Sequence, residues 1–182
     1  MITHAHKAAA VIAAMFATLP MARVDAQSAP DPHAAFAGHS FAFVGGARET
    51  AQIQAAIERA TAPMNFLVRA IARSRLRDRN PVYATIMFRF ERGQIEVVVP
   101  GREAFRSAES GSNASWRGPD GAVYQLTQRL EGGRVVQTVG TSDGTRRNEF
   151  IPGPDGHTLT MHVRITSPHL PLPVDYTLSY RR

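Results

Sequence analysis

From Val82 to the C-terminus, apolar and polar residues alternate with a period of two, and turn-forming residues interrupt the alternation at short intervals. Val82, Ala84, Ile86, Phe88 and Phe90 share one parity, and Ile95, Val97 and Val99 resume it after the turn at Glu91–Arg92–Gly93. Thr158–Ile165 and Val174–Arg181 repeat the pattern most cleanly. Successive side chains of a strand point to opposite faces, so the pattern predicts strands with one dry and one wet face. Two such runs around a short turn make a hairpin. Turns at Gly118–Gly121, Gly132–Gly133, Ser142–Gly144 and Pro152–Gly156 therefore predict hairpin after hairpin, with strands near 104–108, 113–116, 123–130, 135–139, 145–151, 158–165 and 174–181.

Upstream the period changes. His39–Gly46 reads as a short aromatic strand stopped by two glycines. In Glu49–Ala60 the residues Ile53, Ala56, Ile57 and Ala60 recur at helical spacing. A second helix is expected with Thr61 as its cap and Pro63 in its first turn, ending at Asn80–Pro81. It places Met64, Leu67, Val68 and Ile71 on one side. Arg69, Arg73 and Arg77 fall on another, with Arg75 and Arg79 close by. The order is one strand, two helices, then a meander, about nine or ten strands in all. Closure removes both edges of such a sheet and buries its apolar face. The fold expected is mainly β, an antiparallel meander closed into a barrel over 39–182 with a helical lid over 48–79. If the sheet stays open, the same elements make an α+β roll of cystatin type.

The N-terminus has another character. Lys7, the apolar run Ala8–Leu19 and the small-residue exit Val24–Asp25–Ala26 have the layout of a secretory signal peptide over 1–26. Residues 27–38, with Pro30 and Pro32, are expected to form a flexible leader. The chain has no cysteine, so an exported domain would stand on core packing alone, which suits a bacterial periplasmic or secreted protein. Twenty-one basic residues against 15 acidic ones give a net charge of +6, which favours anionic partners.

Five arginines between 69 and 79 face one acid, Asp78. Arg69, Arg73, Arg75 and Arg77 are candidates for contact with an anionic membrane surface. Nucleic acid is not expected as a partner, because no binding motif accompanies the charge. His157, His162 and His169 fit neither the i, i+4 spacing of a helix nor the i, i+2 spacing of one strand face, so no metal site or other cofactor is expected. The chain shows no paired carboxylates, nucleophile elbow or cysteine dyad. An enzyme of isomerase or cyclase type, shaping its substrate in a cavity, stands as the third reading. Phe43, Phe88, Phe90, Tyr124, Tyr176 and Tyr180 would lie inside the barrel, either lining a cavity or filling it.

Phe43–Val44–Gly45 resembles the start of the first strand of fatty-acid-binding proteins. The Asp143–Gly144 turn followed by Arg146 and Arg147 is similar to their late strands, and Leu178–Ser179–Tyr180–Arg181 to their final one. In topology and in these segments the chain resembles the calycin superfamily of fatty-acid-binding proteins and lipocalins. The resemblance implies a carrier of a small apolar or amphipathic ligand such as a lipid. It also implies Tyr180 as a pocket hydroxyl and Arg146 or Arg147 as the anion partner. The family's tryptophan after the first-strand glycine is absent, and Leu178 stands where its carboxylate-binding arginine would fall. The second reading is an envelope interaction module with a filled barrel and a basic helix face. A cavity under the helices favours the carrier. Helices plugging the sheet with Met64, Leu67 and Ile71 favour the module.

Overall fold

The computed structural model describes Asp31 and residues 33–182, so the signal peptide expected over 1–26 and the first part of the leader lie outside the described residues. The chain forms β1 (Ser40–Phe43), α1 (Ala47–Thr61), α2 (Phe66–Arg79), β2 (Thr85–Glu91), β3 (Gln94–Val98), β4 (Phe105–Ala108), β5 (Ala114–Arg117), β6 (Val123–Glu131), β7 (Arg134–Thr141), β8 (Gly144–Pro152), β9 (Thr158–Thr166) and β10 (Val174–Arg181). All ten strands join one antiparallel sheet in the order β4-β3-β2-β1-β10-β9-β8-β7-β6-β5. Pairing of β1 with β10, through Phe43 and Tyr180, curls the meander into a nearly closed barrel.

The tight turns follow from backbone chemistry. Gly132 and Gly133, at φ 55° and 76°, join β6 to β7. Two successive positive φ values match the right-handed twist of the flanking strands, and glycine takes them without steric cost. At Gly45 the reason is different: an added Cβ would collide with the Phe43 ring.

The inward parity builds the core. Phe36, Phe41, Phe88 and Phe150 are at most 1% exposed. Phe88 lies 4.9 Å from Phe36, 6.2 Å from Phe41 and 5.1 Å from Phe150, centroid to centroid. The end of the segment expected to be a flexible leader is thus anchored. Phe36 enters this cluster, Ala37 bridges to Phe88, and His33 Nε2 meets Glu109 Oε1 at 2.8 Å. Only the proline pattern was visible in the sequence, and a lone phenylalanine among alanines gives no period.

The two sheet ends, β4 and β5, form no backbone ladder with each other. Side chains close the seam instead. Trp116 of β5 stacks on Phe105 of β4 at 4.3 Å, and its indole donates to Glu103 O at 3.0 Å. Gln128 of β6 donates to Ile95 O at 2.8 Å, Phe105 O at 3.1 Å and Ser107 Oγ at 3.3 Å.

The helices differ in how they are held. α1 buries Ile53, Ala56, Ile57 and Ala60, the face its spacing predicts. Thr61 is its last residue rather than the cap of α2, and its hydroxyl donates back to Ile57 O. Asn65 caps α2 by accepting from the Val68 amide. α2 contains no buried residue. Polar clasps tie it to α1: Arg69 donates to Ala62 O and Met64 O, while Arg73 donates to Thr61 Oγ1 and pairs with Glu58. Leu67, Val68 and Ile71, which the spacing places on one side, are 63%, 48% and 56% exposed. Helical spacing identifies an apolar face but not which way it turns.

Candidate ligand-binding site

β8 alternates Arg146, Asn148 and Phe150 inward with Arg147 and Glu149 outward, the parity that buries Phe150 and Asn148. Arg147 therefore leaves the candidate interior and pairs with Glu149 on the outer face, where Arg134 also meets Glu149 at 3.2 Å. An open groove of about 500 Å³ on that outer face is lined by these residues and by His162, Arg164 and Asp175. Arg146 is the arginine that reaches inside. Its Nε donates to Asn148 Oδ1 at 2.9 Å, and its Nη1 lies 3.5 Å from Oδ1 of Asn80, the residue that ends α2. Its Nη2 is shielded from solvent and has no hydrogen-bond partner.

Tyr83, just before β2, links this cation to the last strand. The Arg146 guanidinium carbon lies 5.1 Å from the centroid of the Tyr83 ring, and that of Arg102 lies 5.5 Å from it. Such cation–π contacts strengthen when shielded from water. Tyr180 is 1% exposed and packs its ring 5.6 Å from Phe43. Its hydroxyl, like Arg146 Nη2, has no hydrogen-bond partner. Burial pushes the Tyr180 hydroxyl far above the usual tyrosine range, although the Arg146 charge pulls it down. The nearby Tyr83 backbone amide also opposes the rise, without closing a hydrogen bond of good geometry. Burial likewise raises Tyr176, again against the Arg146 charge. Both phenols stay neutral and can donate.

Chemically, the cluster of Asn80, Tyr83, Arg102, Arg146, Tyr176 and Tyr180 supplies a half-buried cation with one nitrogen shielded from solvent, and phenolic hydroxyls. No carboxylate pairs with Arg146 among the described residues. A cation partly shielded from water without a counterion is costly, and a charge-assisted hydrogen bond to an oxyanion is a strong way to satisfy such a donor.

The other expected positions divide. Tyr176 and Tyr180 join the cluster, and Phe43 supports Tyr180. Phe88 is the centre of the aromatic core, and Phe90 packs beside Phe36 and His33. Tyr124 directs its hydroxyl to Asp120 at 2.8 Å, within the β5–β6 turn. Arg69 and Arg73 clasp the helices, whereas Arg75 and Arg77 are exposed. His157 contacts Arg182, His162 faces Thr177, and His169 lies in the β9–β10 connection, so they do not converge. Among the described residues no group of three His, Cys, Asp or Glu side chains could hold a metal. Asn80 and Arg102 were not singled out from the sequence, because they sit in connections where no period marks a direction; Tyr83 fell on the wet parity of the run read from Val82, but β2 begins only at Thr85 and Tyr83 is buried before it. Asn148 and Gln137 carried a signal: polar residues on the dry parity.

No protein-family profile matches the sequence, and no characterised protein matches it at a significant level. Solved structures do match in shape. Fatty-acid-binding protein 1 of Echinococcus granulosus is 13% identical, with 82% of this chain and 98% of that one covered and a TM-score of 0.52. The fatty-acid-binding protein from Drosophila melanogaster brain is 11% identical, covering 81% and 99%, at 0.49. Lipid binding protein 8 of Caenorhabditis elegans is 9% identical, covering 79% and 92%, at 0.48. The Echinococcus match carries the comparison, and at its identity what it establishes is the backbone. The chain has a calycin-like barrel of the fatty-acid-binding-protein type, ten antiparallel strands with two helices between the first and second.

Proposed function

We propose that this protein binds an anionic amphipathic molecule of the fatty-acid class, with its carboxylate on Arg146 and Tyr180. The observation that carries the reading is the pair of buried donors without partners, Arg146 Nη2 and Tyr180 Oη, gathered around Tyr83. The match to a protein named for binding fatty acids supports it. Beside Arg146, in one row across the sheet, lie Leu126, Val139, Ile165 and Val174, an apolar bed for an acyl chain. Each methylene transferred there from water adds about 0.8 kcal/mol. The chain thus supplies affinity and the guanidinium supplies selectivity. α2 is the element that yields on binding, since polar clasps rather than buried side chains hold it. Calorimetric titration with oleate and with the uncharged oleyl alcohol tests whether the head group decides.

The outer face of α2 favours a second element of this reading, loading at an anionic membrane. Phe66, Leu67 and Ile71 are 76%, 63% and 56% exposed, and Arg75, Arg77 and Arg79 are exposed beside them. Apolar side chains enter the acyl boundary while arginines meet anionic head groups. Each arginine near such a surface contributes about 1 kcal/mol. Replacing Arg75 and Arg77 together with glutamine is expected to weaken binding to phosphatidylglycerol vesicles by about thirtyfold. Flotation of the variant at wild-type levels would remove this element.

A further inference from the structure

Gln128, Gln137 and Asn148 are no more than 1% exposed and lie in register across β6, β7 and β8. They form a chain of hydrogen bonds. Gln128 Nε2 donates to the carbonyls of Ile95 and Phe105, and Gln137 Nε2 donates to Gln128 Oε1 at 2.9 Å. Asn148 Nδ2 donates to Gln137 Oε1 at 2.8 Å, and Arg146 Nε donates to Asn148 Oδ1 at 2.9 Å. A carboxamide can turn over and exchange its donor for its acceptor. Here both ends forbid it. Backbone carbonyls only accept, so Gln128 must aim its amino group at the seam and its oxygen at β7. Gln137 must then donate toward β6, and Asn148 must donate toward β7 and show its oxygen to Arg146. A guanidinium only donates, so the last link closes without conflict. Turning one amide alone would set like groups face to face in a buried site, each left unsatisfied.

We propose that Gln128, Gln137 and Asn148 are positioning residues, a one-way amide relay anchored on the seam carbonyls that fixes the rotation of the Arg146 guanidinium and leaves Nη2 for the ligand. The proposal rests on the reading of Arg146 as the anion site. It accounts for three amides on the dry parity of adjacent strands, where aliphatic side chains would fill the space with no donor to satisfy. It also ties the site to the seam: separation of β4 from β6 removes the anchor, and the amides are then free to turn.

The relay is read directly, without ligand, from exchange of the Arg146 Nε proton in the folded chain carrying ¹⁵N-labelled arginine. Gln137 makes no hydrogen bond to Arg146. Gln137→Leu removes the middle link and is expected to speed that exchange by about tenfold, the factor for one buried hydrogen bond. Gln137→Glu is the conservative variant. Burial keeps its carboxyl protonated near neutral pH, so it still offers one donor and one acceptor, and wild-type exchange is expected. Gln128→Met removes the anchor without touching Asn148 or Arg146; it is expected to speed the exchange likewise and serves if Gln137→Leu does not fold. Wild-type exchange in whichever of these two variants folds overturns the relay. Oleate affinity reads the anion site separately, so either idea can fail without the other.

Discussion

Arg146→Leu is expected to lower affinity for oleate by about a hundredfold while leaving the barrel folded. A hydrogen bond to a charged group contributes about 1.5–3 kcal/mol, and the variant removes the only cation whose buried nitrogen lacks a partner among the described residues. Stability should change by no more than about 1 kcal/mol, because two effects oppose. Asn148 Oδ1 loses its donor, while a desolvated charge without a carboxylate disappears. Calorimetry against oleate gives the first quantity and urea unfolding the second. Unchanged affinity would place the head group elsewhere. Affinity for oleyl alcohol should be indifferent to the substitution, which separates loss of charge recognition from collapse of the apolar bed.

The largest effect on stability is expected from Phe88→Ala, about 3–5 kcal/mol in urea unfolding. Phe88 is 1% exposed and touches the rings of Phe36, Phe41 and Phe150. Removing it leaves a void that three strands and the N-terminal segment cannot all collapse to fill. That cost is a large part of the 5–15 kcal/mol typical of a domain. The result also decides how the interior is used. A cost under about 1 kcal/mol would mean that the ring faces open space, as the lining of a cavity does, rather than a filled core.

Filled packing around Phe88 and unmet donors around Tyr83 divide the interior into two functions. The aromatic cluster supplies stability, and the Arg146 cluster carries the unsatisfied chemistry. A carrier with a wholly hollow barrel would place Phe88 and Phe90 along its ligand. Here they support the fold, and under the proposed function the ligand takes the region around Arg146, beside Asn80 at the end of α2.

The strands were readable because period two is a direct record of which side chains are dry. Thr158–Ile165 and Val174–Arg181 became β9 and β10 nearly residue for residue. α1 was readable for the same kind of reason. α2 was readable as a helix ending at Asn80, but Leu67 and Ile71 mark a face without saying whether protein or solvent meets it. The boundary between the helices was also misplaced. Thr61 and Asn65 both suit a cap, and which one serves depends on where Arg69 and Arg73 fold back. For the site, Arg146 and Tyr180 came from segments with a family likeness, and strand parity then separated Arg146 from Arg147. The amide row was present in the alternation itself, since Gln128, Gln137 and Asn148 interrupt the dry parity of Leu126, Val135 and Phe150. Its meaning required the register that places the three side by side.

Under the proposed function, an anionic head group is what the buried donors await. Calorimetric titration of delipidated protein with oleate and with oleyl alcohol, chains of equal length with and without the charge, measures it most directly. One oleate per chain is expected, with the alcohol bound at least about tenfold more weakly. Equal affinities for the two, or no uptake of either, would contradict it.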